Sequence, residues 1–125
     1  MSILIVDDDA AIRDSLSAAL ELHGFRVAVA GNGMDALCAM DRLRPALVLL
    51  DLWMPVLDGA GFARALAKRG RHVPLLLMSA DPQGAQLARQ IGAAMFLEKP
   101  FELSDLLAGV KRLLAEQHHS RRNAA

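Results

Sequence analysis

Acidic residues follow two short apolar runs of the sequence at the point where each run ends. Three consecutive aspartates, Asp7 to Asp9, come directly after Ile3 to Val6, and Asp51 follows Ala46 to Leu50. A short, wholly apolar run is typical of a strand buried on both faces. The carboxyl ends of parallel strands meet at the edge of a sheet where ligands bind, so we expect these carboxylates to share a site. Taken alone, Asp51 is explained equally well as the start of the turn that continues to Gly59.

A cluster of carboxylates at one sheet edge predicts a cation site. Like charges raise one another's pKa unless a cation neutralises them. Mg²⁺ suits a site of one or two carboxylates with waters and a phosphate group. We therefore expect Asp8 and Asp51 to bind Mg²⁺ directly and Asp7 to act indirectly or through water.

Two later apolar runs also end in polar residues. Ser79 follows Leu75 to Met78, and Lys99 follows Ala94 to Leu97 after one intervening residue. An ammonium group and a hydroxyl are suitable donors to a phosphoryl group. Each residue has a simpler explanation by itself: a turn hydroxyl for Ser79, a solvated charge for Lys99 and a helix N-cap for Asp9. Their joint position at strand ends favours phosphoryl chemistry.

The elements that position these residues alternate between strands and helices along the chain. Five strands and five helices in alternation predict a parallel sheet covered on both faces, a doubly wound α/β domain, and the length excludes a closed eight-stranded barrel. The last helix is expected to bury Leu103, Leu107, Val110 and Leu114. The predicted strands are Ile3–Val6, Phe25–Ala30, Ala46–Leu50, Leu75–Met78 and Ala94–Leu97, and the predicted helices are Ala10–His23, Met34–Leu43, a helix from the Asp58-Gly59 turn to Arg69, Gln83–Ile91 and Ser104–Glu116.

The length and composition describe one small domain with balanced charge. The 125 residues include 14 basic and 14 acidic side chains, which argues against a nucleic-acid-binding surface. The single cysteine, Cys38, excludes an internal disulfide, fits a reducing cytoplasm and is expected to pack on its helix. We find no signal peptide and no apolar run long enough to span a membrane. The expected domain covers residues 1–116, and the polar tail, 117–125, is expected to be mobile.

The motifs, in their order, resemble the receiver domain of two-component response regulators. The resemblance extends from Ile3 to about Leu114 and implies a flavodoxin-like fold with strand order 2-1-3-4-5. The matching stretches are Val6–Asp9, Leu50–Pro55, Asp58-Gly59, Ser79-Ala80 and Lys99–Phe101.

The resemblance implies a phosphorylation site at Asp51. In this family the aspartate accepts a phosphoryl group from a phosphohistidine of a sensor histidine kinase or phosphotransfer protein. Magnesium would be held by Asp8, Asp51 and the backbone carbonyl of Trp53, with Asp7 beside it. The protein would be a signalling domain and not an enzyme, since it would catalyse only its own phosphorylation and slow dephosphorylation.

The resemblance also implies a conformational switch. Ser79 would bond the phosphoryl oxygens, Lys99 would pair with the aspartyl phosphate, and Phe96 would turn inward as Ser79 moves. Pro100, after a cis peptide bond, and Gly59 would have structural roles. The surface formed by the fourth helix, fifth strand and fifth helix would then bind a downstream protein target or a covalently linked output domain that this chain does not encode.

Two features of this chain concern positions at which members of the family differ from one another or from this sequence. Trp53 and Asp81 occupy the two positions at which the family varies its dephosphorylation rate, and the bulk of Trp53 predicts shielding of the acyl phosphate from water. The stretch between Ser79 and Phe96 is short for the family, which predicts a trimmed fourth helix or preceding loop.

Two alternatives remain open from the sequence. The first is an unphosphorylated interaction domain with the same fold. The second is a haloacid-dehalogenase-like phosphatase that uses Asp7 and Asp9, which have the spacing of that motif. Ala11 stands where that motif has Thr or Val, and such enzymes usually need a cap domain.

Overall fold

Five strands and five helices alternate along the chain, as the sequence predicts. The computed structural model describes the backbone of residues 1–124 and the side chains of residues 1–117. Most element bounds lie within one or two residues of the predicted ones. The elements are β1 (Ser2–Val6), α1 (Ala10–Leu22), β2 (Arg26–Ala30), α2 (Gly33–Leu43), β3 (Leu47–Asp51), α3 (Gly59–Lys68), β4 (Leu75–Ser79), α4 (Gly84–Gln90), β5 (Met95–Glu98) and α5 (Leu103–Ala124).

The five strands form one parallel sheet in the order β2-β1-β3-β4-β5. This confirms the doubly wound α/β fold with flavodoxin-like strand order. Val6 is in register with Leu50 in the central pair of strands. Asp51, the last residue of β3, and Asp7, the first residue after β1, therefore lie at the same level of the sheet edge.

Both faces of the sheet are buried because successive strand residues point to opposite sides. Leu4 and Val6 of β1 pack into a cluster with α2, α3 and α4, whereas Ile3 and Ile5 pack with α1 and α5. All five residues of β3 and of β4 are buried. The continuous apolar runs in the sequence are thus explained by helices on both faces.

The turns at the amino-terminal edge of the sheet are built on glycine. Gly24, Gly70 and Gly92 follow α1, α3 and α4, and each has a positive φ. A Cβ atom added at any of these positions would meet no atom within 4 Å. Glycine is used there for its backbone freedom at the end of a helix and not for close packing.

The last helix differs from the sequence prediction at both ends. It begins at Leu103, which is 44% exposed, and runs to Ala124 instead of ending at Glu116. Neither glycine nor proline occurs after Gly109 to end it, and polar residues such as Glu116 continue a helix without needing burial. The tail for which mobility is predicted, 117–125, includes residue 125 and the side chains from 118 onward, which lie outside the described part of the chain. The buried face of α5 consists of Leu106, Val110, Leu113 and Leu114.

Cys38 also departs from its prediction. Its side chain is exposed on α2, and the buried face of that helix contains Ala36, Leu37 and Met40 instead. The expectation that Cys38 is a small helix-packing residue is therefore wrong, because its side chain lies on the outer side of an amphipathic helix. Among the described residues, no helix combines the length and apolar character needed to cross a membrane.

Candidate functional site

Three carboxylates meet where β1 and β3 end. Asp7, Asp8 and Asp51 each offer an oxygen atom, and these atoms lie within 4.8 Å of one another. Asp7 is 1% exposed and Asp51 is 8% exposed, while Asp8 is open to solvent. The parallel register of β1 and β3 produces this cluster, because Asp51 ends β3 at the level where Asp7 and Asp8 follow β1. A cluster of carboxylate oxygens with one open side suits a hard divalent cation that keeps several waters.

Lys99 reaches the same cluster from the loop after β5. Its Nζ atom donates to Oδ2 of Asp7 at 3.0 Å and to Oδ1 of Asp51 at 3.3 Å. The backbone N–H of Lys99 donates to the carbonyl of Ser79 at 2.9 Å, which fixes the start of the loop. The Lys99–Pro100 peptide bond is cis, as the resemblance implies.

Asp7 is held in place by bonds to both of its carboxylate oxygens. Oδ1 accepts from the backbone N–H of Asp9 at 3.0 Å, and Oδ2 accepts from Lys99. The backbone carbonyl of Asp7 accepts a further bond of 2.8 Å from Nη1 of Arg13. The sequence reasoning missed Arg13, and no motif singles it out, since its role depends on how the first turns of α1 pack against the loop after β1.

The electrostatic environment makes Asp51 a weaker acid than a free aspartate. Burial and the neighbouring charge of Asp7 raise the pKa of Asp51 from 3.8 to about 6, against the opposing effect of Lys99. Burial alone would lower the pKa of Lys99, but its bonds to Asp7 and Asp51 outweigh that effect and raise the pKa. The ammonium therefore stays charged beside carboxylates that attract it.

Ser79 lies at the end of β4 and is almost fully buried. It is 2% exposed, and its Oγ atom accepts a bond of 3.0 Å from the backbone N–H of Asp81. The hydroxyl proton is not used in that bond, so the side chain can still donate to a further acceptor. Phe96 lies half-buried on β5 and packs against the cluster that contains α4.

A side-chain bond links the loops that follow β3 and β4. Nε1 of Trp53 donates to Oδ2 of Asp81 at 3.0 Å, although Trp53 itself is 56% exposed. Oδ1 of Asp81 accepts from the backbone N–H of Gln83 at 2.8 Å, which orients the carboxylate. The sequence places both residues at positions of interest but gives no sign that they touch, because they are 28 residues apart.

Gly59 permits close contact between the start of α3 and the end of β3. A Cβ atom at this position would lie 2.6 Å from the carbonyl oxygen of Asp51. The backbone N–H of Gly59 donates to the carbonyl of Leu52 at 2.9 Å, and Asp58 caps α3 through the N–H of Gly61. The Asp58-Gly59 turn therefore supports the backbone that carries Asp51.

Asp9 caps a helix and does not join the carboxylate cluster. Its Oδ1 atom accepts from the backbone N–H groups of Ala11 and Ile12 at 2.9 and 3.4 Å. The pairing of Asp7 with Asp9 as nucleophile and acid, which the phosphatase alternative requires, is disfavoured because Asp7 is buried and both of its oxygens are bonded.

The sequence from residue 3 to residue 111 matches the family described as the response regulator receiver domain. The chain belongs to this family. The receiver domain is 40% identical over 116 residues to the response regulator MprA of Mycobacterium leprae, covering 91% of this chain and 51% of MprA. It thus spans about half the length of the curated relatives it matches.

Solved structures of other receiver domains have the same fold. The receiver domain of Francisella response regulator 1452 superposes with a TM-score of 0.87 at 26% identity, covering 93% of this chain and 98% of that chain. The receiver domain of NtrX from Brucella abortus gives a TM-score of 0.83 at 32% identity, covering 90% and 98%. Vibrio cholerae chemotaxis protein CheY4 gives 0.82 at 30% identity, covering 90% and 97%. The receiver domain described here is therefore similar to both chemotaxis and NtrX proteins.

Proposed function

We propose that this receiver domain accepts a phosphoryl group on Asp51 from a phosphohistidine of a sensor histidine kinase or phosphotransfer protein in the cytoplasm. The observation that carries the proposal is the position of Asp51 between a fixed ammonium group and two further carboxylates at one sheet edge. A carboxylate in this setting combines a nucleophilic oxygen with nearby sites for positive charge. Phosphoryl transfer depends mainly on positioning and on such charge.

Asp51, Lys99 and Ser79 have separate roles in the phosphoryl transfer. A carboxylate oxygen of Asp51 forms the new bond to phosphorus as the bond from phosphorus to the histidine nitrogen breaks, and the imidazole leaves. Lys99, 3.3 Å from Oδ1 of Asp51, balances negative charge on the phosphoryl oxygens. The hydroxyl group of Ser79 donates a hydrogen bond to one of those oxygens. No external substrate is turned over apart from the water that slowly hydrolyses the acyl phosphate.

The carboxylate cluster fits Mg²⁺ as the cofactor. Asp8 and Asp51 would hold the ion directly with the backbone carbonyl of Trp53, while Asp7, bonded to Lys99 and Asp9, would act through water. A bound Mg²⁺ supplies positive charge at the oxygens of the transferred group.

A groove beside the site suits a protein as the phosphoryl donor. Its volume is about 520 Å³, and its lining includes Ile12, Leu16, Ala80 and Phe101, with Lys99 at one side. Apolar side chains next to the reacting carboxylate offer a docking surface for a helix that carries a phosphohistidine. The groove and the carboxylate cluster would then be occupied by the same partner.

The aspartyl phosphate is proposed to change the surface formed by α4, β5 and α5. A phosphoryl group brings about two negative charges, and the buried Ser79 meets them by moving its loop. That loop leads directly into α4, so its displacement reaches the surface where a downstream protein or a linked output domain would bind. Phosphorylation thereby selects between two arrangements of one surface.

Intact-mass measurement after incubation with acetyl phosphate and Mg²⁺ tests the acceptor. We expect one phosphoryl adduct that requires Mg²⁺, disappears in Asp51→Asn and persists in Asp14→Asn, a matched change at an exposed site on α1. An adduct that survives in Asp51→Asn would place the acceptor elsewhere. No adduct in the wild type under any condition would leave an unphosphorylated interaction domain as the better account.

A further inference from the structure

The aromatic ring of Phe96 lies against Gly84, the first residue of α4. A Cβ atom added at Gly84 would lie 2.6 Å from Cζ and 2.7 Å from Cε1 of Phe96, and 3.4 Å from Cβ of Ser79. The first two distances are shorter than real carbon contacts allow, so a side chain at this position and the ring cannot occupy the same space. The ring therefore uses room that exists because residue 84 has no side chain.

The backbone at Gly84 does not itself require glycine. Its φ lies outside the positive range that distinguishes Gly24, Gly70 and Gly92. Gly84 is buried at the first position of α4, where alanine would restrict the unfolded chain more than glycine does. The contact with Phe96 is thus the physical reason for glycine here.

Gly84 is connected to the side chain of Ser79 through two hydrogen bonds of Asp81. The N–H of Asp81 donates to Oγ of Ser79 at 3.0 Å, and the N–H of Gly84 donates to the carbonyl of Asp81 at 2.9 Å. A movement of the Ser79 hydroxyl toward Asp51 would carry this short loop with it. The room available to the ring of Phe96 would then change directly.

We infer that Gly84 is a positioning residue of the switch: by lacking a side chain, it lets the Phe96 ring lie beside Ser79 and so couples the state of Asp51 to β5. The inference rests on the proposed phosphorylation of Asp51 and goes further, since it assigns the coupling to a glycine outside the phosphorylation site. A side chain at position 84 would move the ring outward whatever the state of Asp51.

A double-mutant cycle tests the contact without any phosphorylation. Urea unfolding would be measured for the wild type, Gly84→Ala, Phe96→Val and the double variant. We expect Gly84→Ala to lower the unfolding midpoint when Phe96 is present and to raise it when Val is present, because alanine then restricts the unfolded chain without a clash. An equal effect of Gly84→Ala in both backgrounds would overturn the contact as the reason for glycine.

NMR of protein labelled with phenylalanine that carries ¹³C at Cζ tests the coupling, with the Phe96 signal assigned through Phe96→Val. We expect acetyl phosphate and Mg²⁺ to shift this signal in the wild type and in Ala85→Ser, an exposed control on the same helix. In Gly84→Ala the adduct should still form by intact mass, but the Phe96 signal should start at a displaced position and no longer respond.

The possible failures are distinguishable. A wild type that forms no adduct would overturn the proposed function and the coupling together, while the unfolding cycle would still decide the contact. An adduct in both proteins with an equal Phe96 response in Gly84→Ala would overturn the role of Gly84 alone.

Discussion

The indole nitrogen of Trp53 donates a 3.0 Å hydrogen bond to Oδ2 of Asp81 and thereby joins the loops that follow β3 and β4. Asp51 ends β3 and Ser79 ends β4, so the bond connects the two segments that flank the proposed acyl phosphate. The same carboxylate of Asp81 orients the turn into α4. A side chain that is more than half exposed is thus held in one place at the edge of the site.

This bond predicts a phosphorylated state protected from water. Trp53→Ala removes both the bulk and the bond, and we expect it to speed hydrolysis of the aspartyl phosphate about 5-fold, which corresponds to roughly 1 kcal/mol. The decay of the adduct by intact mass after removal of acetyl phosphate measures this rate. Trp53→Phe, which keeps the ring but loses the donor, serves as the control for bulk and should lie between the two. Equal decay in Trp53→Ala and the wild type would count against shielding.

The raised pKa of Asp51 predicts a pH-dependent stability difference. Ionised Asp51 destabilises the folded state, so its penalty is absent below the unfolded value of 3.8 and complete above about 6. In EDTA at about pH 8 we expect Asp51→Asn to be more stable than the wild type by on the order of 2 kcal/mol. The difference should shrink as the pH falls below about 6 and vanish well below 3.8, where the wild-type carboxyl is protonated in both states. Urea unfolding across this range measures it, with Asp14→Asn as control. A gain that is independent of pH would refute the assigned cause.

Replacing Lys99 with an uncharged residue is expected to cause a large loss of stability. Lys99→Gln leaves the buried carboxylate of Asp7 without its ammonium partner, and we expect a loss of about 2 to 4 kcal/mol in unfolding free energy. Urea unfolding at neutral pH is the measurement. Lys111→Gln, at an exposed position of α5, should change stability little. Similar small effects in both variants would mean that the ion pairs contribute no net stability.

A substitution at Val56 is expected to stabilise the folded protein. It has a φ of 71°, which is rare for a β-branched residue, and it is 78% exposed in a tight turn closed by a 2.8 Å bond from the N–H of Leu57 to the carbonyl of Pro55. Asparagine tolerates positive φ, so Val56→Asn should raise the unfolding free energy by about 1 kcal/mol. Val29→Asn, at a half-exposed strand position, should lower it. A loss of stability in Val56→Asn would show that the valine side chain makes a favourable contact.

The positions of the polar residues were predictable because local sequence determines where strands end. Apolar runs of four or five residues bounded by Asp51 or Ser79 allow few other assignments, and alternation with helices then requires parallel strands. Local sequence does not predict the order of the strands in the sheet. That order depends on which strands pair across the whole chain, and only the resemblance to a known family supplied it.

Contacts between distant loops and helix ends were not predictable in this way. The bond of Trp53 to Asp81 joins residues 28 apart, and the role of Arg13 depends on the direction of a long side chain. Loss of apolar periodicity predicts an end of α5 at Glu116, but the helix continues to Ala124 because a polar helix needs no buried face to continue. Helical spacing also predicts a buried Leu103, but this residue begins the helix and is 44% exposed.

The glycine turns after α1, α3 and α4 give the molecule two ends with different engineering uses. Gly24, Gly70 and Gly92 lie at the edge of the sheet opposite Asp51 and have open space around them. A peptide tag or fluorescent insert grafted into one of these turns would project away from the carboxylates, and turns of this kind are where inserted segments are best tolerated. A reporter group can therefore be attached at the edge with the glycine turns while the carboxylates at the opposite edge stay accessible.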